Sequence, residues 1–309
     1  MGVTVTAYPP YQPYQAYPGP GPAPIAPPPI LVAVAEPTAQ RRLYVALRLI
    51  LVVPHLIVLC LLSVAAFIVA FIGWWGALFT GRLPLFAVNF LSGYLRWSTR
   101  VSAYLMLLTD VYPPFTPDDD PRYPVQVAIP EPQRLNRAAV FFRAILLVPV
   151  GILSSIVRYG TGVMGLAAWV ITLVTGRLPT PFHQAYVSAL RFQTRFYGYQ
   201  LMLTPAYPVG LYGDRPEMVA WADAQAPGFG APGAGFGAPA AGFGAPAAAY
   251  GEWPGTQPSR WLLPLTSAAK ALVTTIIVIG VLCLIAQNVY NNSTFGNSQP
   301  STTGVFINM

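Results

Sequence analysis

Apolar residues in this chain come in long runs rather than in alternation. The first extends from Leu43 to Phe79 and is broken by almost nothing except Pro54, His55 and Ser63. As one helix it would reach about 55 Å, well past a hydrocarbon core of about 30 Å. Two arrangements fit that length. One is a short interfacial helix to Val53, a kink at Pro54 and a spanning helix over 55–79; the other is two short spans packed as a hairpin. The second run, Arg143 to Thr175, offers a bend at Ser154-Ser155 through Arg158, Gly160 and Gly162. The first run has no such bend, so one span per run is preferred. A third run covers residues 271–290.

Between the long runs lie segments with a helical polar stripe. Over 85–109 the polar positions are Asn89, Gly93, Arg96 and Arg100, stepping by 4, 3 and 4 along one helix face. The stripe recurs at Gln184, Ser188, Arg191 and Arg195, each 95 positions on (89 + 95 = 184, 100 + 95 = 195). The turn before it recurs as well: Thr80-Gly81-Arg82-Leu83-Pro84 returns as Thr175-Gly176-Arg177-Leu178-Pro179. Gly81, Arg82 and Pro84, with Gly176, Arg177 and Pro179, thus mark one unit used twice. Arginine inside a bilayer is costly, so the stripes either face a bundle interior or lie in the headgroup layer. Arg96, Arg100, Arg191 and Arg195 are the candidates for a lipid-headgroup site or a polar path; the structural alternative, which is preferred, has them snorkel or pair with Asp110 and backbone carbonyls to hold the bundle together.

The rest divides by composition. Residues 1–38 are a Pro/Tyr-rich tail, read as disordered and extended. Residues 39–115 are the first membrane repeat, and 116–136 are a polar linker carrying Asp118-Asp119-Asp120 and a short strand over Val125–Ile129. The second repeat covers 137–210. Residues 211–260 repeat Gly-Phe-Gly-Ala-Pro and read as a disordered tether. A C-terminal transmembrane helix over 261–290 and an extracytoplasmic tail over 291–309 complete the chain. The fold class expected is all-α: a polytopic membrane protein with two parallel repeats of ~95 residues plus that last helix.

Composition sharpens the class. Charged residues make up 9% of the chain and hydrophobic ones 54%, against about 25% charged in soluble domains. The net charge of +7 rests on arginine, Lys270 being the only lysine. These arginines flank apolar segments, where they orient a protein and meet anionic headgroups. No basic run is interleaved with exposed aromatics, which argues against nucleic acid. Cys60 and Cys283 lack metal spacing, and His55 and His183 do not correspond under the 95-residue offset. The Asp triple lacks the glycine of a calcium loop. No nucleophile–base set or phosphate-cradling loop appears, so neither metal, cofactor nor enzymatic activity is expected.

Positive charge lies before the first run, in the linker and before the last run; the C-terminal tail has none. The positive-inside rule then puts the N-terminus, linker and tether in the cytoplasm and the tail outside. Each copy crosses an even number of times, which makes the copies parallel repeats, and five crossings in all are favoured.

Thr-Gly-Arg-Leu-Pro, then Tyr94-Leu95-Arg96-Trp97 through Arg100 and Tyr104, Leu107 to Phe115, and Asp119-Asp120-Pro121-Arg122-Tyr123-Pro124, resembles the DUF4389 family. The resemblance covers roughly residues 40 to 210. It implies a bacterial plasma membrane protein with the domain in tandem and adds no chemistry. The second copy departs after Thr204 and shows no acidic box.

The function expected is that of a non-catalytic scaffold or accessory subunit organising lipid or protein partners. Those partners would be the bilayer with its anionic headgroups, other membrane proteins, or a cytoplasmic adaptor reached through the Pro-rich tail. The alternative is a small transporter or channel component using the paired arginines.

Overall fold

A computed structural model describes residues 27–214 and 263–295. The chain is mostly helical. Strand β1 (Leu31–Val34) precedes helices α1 (Arg42–Thr80) and α2 (Leu85–Leu105). Strand β2 (Val125–Ala128) precedes a short α3 (Arg137–Phe141), then α4 (Arg143–Thr175) and α5 (Thr180–Gln200). Helix α6 (Ser267–Phe295) ends the described chain. By length and composition α1, α4 and α6 could each cross a membrane. Neither α2 nor α5 meets that standard.

Both long helices are continuous, which corrects the kink expected at Pro54. Pro54 in α1 and Pro149 in α4 sit 95 positions apart inside unbroken helix. Proline removes one backbone bond, a loss that helices of apolar surroundings tolerate where neighbours compensate. Each helix stops the same way. Gly81 and Gly176 take left-handed φ values of 71° and 74°, and their N–H groups donate to Ala77 and Thr172. A side chain at either position would be strained, hence the conserved-in-repeat Gly of the turn.

A second correction falls in the N-terminal tail. The strand expected near 125–129 is present, and its partner is Leu31–Val34, four residues assigned above to the disordered tail. The two pair antiparallel, with Val32 opposite Val127. These residues are themselves 95 apart, so the ribbon is centred on equivalent positions. Leu31, Val32 and Ala33 are buried; an apolar, partly β-branched stretch gains from a partner edge and a covered face. The remainder of that tail (1–26), the tether from 215 and the tail from 296 lie outside the described residues. The last helix extends through Phe295 rather than ending at 290.

Contacts between the copies are reciprocal. Trp74 Nε1 donates to Val140 O (3.0 Å), and Trp169 Nε1 to Val45 O (2.9 Å). Leu135 N donates to Gly81 O and Gln40 N to Gly176 O, both at 2.8 Å. Thr99 and Thr194, another equivalent pair, touch through their hydroxyls at 3.3 Å. Each of these contacts maps onto its mate by the same offset, as an isologous interface requires. The copies are therefore related by a pseudo-two-fold axis through the ribbon centre and the Thr99–Thr194 contact. Because the end of α1 meets the start of α4 and the reverse, the two long helices run in opposite senses side by side. Trp74→Phe and Trp169→Phe are each expected to cost about 1 kcal/mol. Thermal unfolding in detergent should show matched shifts; unequal ones would mean that the two seams are not equivalent.

Along the axis the molecule has three layers. The ribbon and the linkers pack on α2 and α5, which in turn pack on α1 and α4. The middle layer is buried. The outer helices are not: Leu43, Ile50, Leu61, Phe67, Phe71 and Phe79 mark an exposed apolar face along the length of α1. One pole of the axis is polar and the other apolar.

Candidate functional site

The arginine stripes of α2 and α5 point toward the linker side of the middle layer. Arg100 is 1% exposed and sits 3.6 Å from Asp119. In the second copy Arg195 lies 2.7 Å from Asp214, and Arg191 makes a closer pair with the same carboxylate. Arg195 also donates to Ile30 O (3.0 Å) and Val209 O (2.9 Å), tying the stripe to the residue before β1. Burial pushes the Arg191 guanidinium down to about 10; Asp214 opposes that shift and Arg195 adds to it. It remains charged at neutral pH. Burial likewise lowers Arg100, against Asp119 and Asp120. Three of the four stripe arginines are thus internal ion pairs.

Arg96 is the fourth. It lines a groove of about 390 Å³ shared with Asn89, Ser92, Asp118, Asp119 and Glu131. Three carboxylates in one groove repel an anionic headgroup, so this surface is unsuited to phosphate.

Asp214 went unseen in the sequence, where the second copy was read as lacking its acidic box. The signal was available: 119 + 95 = 214. The Asp triple itself is not copied, but its one buried-pair member is. Asp110, which has Pro205 at the equivalent position, takes a different role. It accepts from Arg41 Nε at 3.0 Å and lies 3.6 Å from Arg48. Arg48 and its equivalent Arg143 are buried and cap α2 and α5, donating to Tyr104 O (2.6 Å) and Tyr199 O (2.8 Å).

The turn residues fall where the chain reverses. Arg82 and Arg177 are exposed, whereas Leu83 and Leu178 are buried beneath them. Gly81 lies beside Arg137 and Gly176 beside Arg42, so each end of the paired long helices carries two arginines, one from each copy.

The histidines are internal. Trp97 Nε1 donates to His55 Nδ1 (3.2 Å), and Phe115 stacks on that ring at 3.9 Å. Burial pushes His183 down to about 4, which leaves it neutral. Among the described residues no group of three or more His, Cys, Asp or Glu side chains could hold a metal ion.

A cavity of about 730 Å³ opens between α1, α2, α4 and α5. It borders the pseudo-two-fold axis, since Thr99 and Thr194 both line it, and lies on the apolar side of the middle layer. Nothing in the sequence marks it, because its walls come from four separate segments.

No curated protein and no solved structure matches the chain. A family model described as Domain of unknown function (DUF4389) matches twice, over residues 42–116 and 137–211. Those spans coincide with the two structural repeats, each a long helix, an αL glycine turn and a buried return helix, and the chain carries the DUF4389 domain in tandem.

Proposed function

We propose that this protein is a non-catalytic membrane scaffold whose two DUF4389 copies lie along one leaflet, with the pseudo-two-fold axis along the membrane normal. The observation that carries this reading concerns the ends of α1. At its start Arg41 is paired with Asp110; at its end Gly81 O accepts from Leu135 N. Both ends are therefore held by one polar segment. Between 110 and 135 that segment includes exposed Asp118, Arg122, Glu131 and Arg134, which do not cross hydrocarbon. A helix whose two ends are tied to one side has no need to span.

On this reading the apolar pole is immersed, the polar pole faces water, and the copies are parallel repeats. Each crosses zero times rather than twice, which keeps the parity expected from charge and leaves α6 as the candidate crossing. Arg42 with Arg177, and Arg82 with Arg137, meet anionic headgroups at either end of the platform. The scaffold belongs to a bacterial plasma membrane, its N-terminus and linker in the cytoplasm and its C-terminus outside. Partner recruitment through the Pro-rich residues before 27 completes the proposal. The transporter alternative draws less support, because three of the four arginines it needs are internally paired.

Impermeant thiol labelling tests this. Arg42→Cys and Arg82→Cys, each with Cys60 and Cys283 replaced, should label from the same face, in inside-out vesicles and not in intact cells. Labelling of the two sites from opposite faces would sink the one-leaflet reading.

A further inference from the structure

We propose that the cavity between α1, α2, α4 and α5 binds an anionic amphiphile, with one acyl chain inside it and the acid head on Arg158. Most of its lining is apolar, with Leu49, Leu105, Leu166 and Trp169 among the walls. Several of its polar wall residues are occupied, while Thr161 Oγ1 and Tyr186 Oη are buried there without a hydrogen-bond partner. Thr99 and Thr194 donate to carbonyls of their own helices, and Gln193 is bonded to Ser154. Arg48, at one edge, is held by Tyr104 O, Gln40 and Asp110. The deep part therefore asks for hydrocarbon.

Of the two charged wall residues Arg158 is the one without an ion pair, its guanidinium lying 5.6 Å from the Tyr159 ring. It is exposed, lines the cavity, and has no carboxylate within 4.0 Å among the described residues. It sits near the middle of α4 (Arg143–Thr175), roughly 23 Å from the nearer end. With α4 lying along the leaflet, what matters is the side on which the residue sits, and Arg158 lines the cavity on the apolar side of the middle layer. An ionisable group in such apolar surroundings calls for a counter-charge, and guanidinium suits a carboxylate or phosphate.

The repeat offers an internal comparison. Position 158 corresponds to Ser63, 162 to Phe67 and 165 to Ala70. The second copy thus has an arginine where the first has a hydroxyl, and glycines where the first has a phenyl and a methyl. A Cβ at Gly162 or Gly165 would meet nothing within 4 Å. The first copy does without these features, so the basic fold does not require them. Here one copy puts an arginine and two glycines on the cavity wall, while its twin carries Ser63, a 72% exposed Phe67 and Ala70 away from it. The volume falls within the roughly 300–1,000 Å³ of small-ligand sites.

The test uses the full chain, purified in detergent and stripped of lipid, with a fluorescent long-chain fatty acid as probe. Saturable binding is expected, together with at least about tenfold weakening in Arg158→Gln and loss in Gly162→Phe. The latter places the first copy's own residue in open space, and an unchanged melting temperature would show that it still folds. A trimethylammonium amphiphile of equal chain length should not compete. Competition by unlabelled fatty acid alone would identify a free acid as the occupant; competition by phosphatidylglycerol too would identify a bilayer lipid lending one chain. Equal affinity in wild type and Gly162→Phe, or equal competition by the cationic amphiphile, would overturn the proposal. Binding in detergent is independent of which face of the membrane the helix ends occupy. Its failure and that of the one-leaflet reading are therefore separate results.

Discussion

Asp214→Asn should cost about 3–5 kcal/mol of stability, the range for removing one partner of a buried ion pair. Asp119→Asn at the equivalent position should cost only about 1–2 kcal/mol. Asp214 is 1% exposed and serves two arginines that are 3% and 2% exposed. Without it, two buried like charges face each other. Asp119 is 26% exposed, faces one arginine at 3.6 Å, and leaves Arg100 with Asp120 still in its field. A domain has only about 5–15 kcal/mol in total. The first change should therefore lower the melting temperature in detergent by roughly 10 °C and the second by much less. Adding Arg191→Gln and Arg195→Gln to Asp214→Asn should recover part of the loss, since uncompensated charge is its cause. Equal shifts for the two aspartates would contradict the assignment of Asp214 as a shared counter-ion.

Gly160→Ala and Gly162→Ala, two positions apart on α4, should have opposite signs. Alanine in a helix is ordinarily worth about 0.5–1 kcal/mol over glycine. At Gly162 nothing opposes that gain. At Gly160 the new Cβ would overlap the Ile276 carbonyl of α6, and at Gly280 it would overlap the Ile156 carbonyl of α4. Small residues let helix backbones approach this closely. Backbone cannot rotate away as a side chain can, so overlap wins over propensity. With a protease site placed in 215–262, cleaved wild-type protein should retain its C-terminal fragment through purification. Gly160→Ala or Gly280→Ala should release it, while Gly162→Ala retains it with a slightly raised melting point. Retention in all three would show that α6 is held by something other than this glycine contact.

The 95-residue offset was legible at once, and with it the paired helices and the glycine turns at 81 and 176. What escaped was its full use. Adding 95 to Asp119 gives Asp214, and subtracting 95 from Val125–Ile129 gives Ile30–Val34, the missing strand. Both lie outside the apolar runs: one in a stretch whose prolines suggested disorder, the other after the obvious motif had faded. Pro54 misled because its cost is set by what surrounds the helix, which the residue itself does not encode. The spacing groups the stripe arginines on one face of each helix but is silent on which carboxylate lies opposite. The cavity needs four helices in place before it exists.

The crossed seams also set an order of events during synthesis. Gln40 donates to Gly176, 136 residues later (176 − 40), and Leu31 pairs with Ala128. At about 5–20 residues per second the first of these contacts waits roughly 7–27 s. Once α1 is complete at Thr80, a further 48 residues follow before Ala128 can pair the strand and 96 before Gly176 closes the seam (128 − 80, 176 − 80). Lipid must therefore shelter the first copy before its twin does, so contact with the membrane precedes closure of the fold.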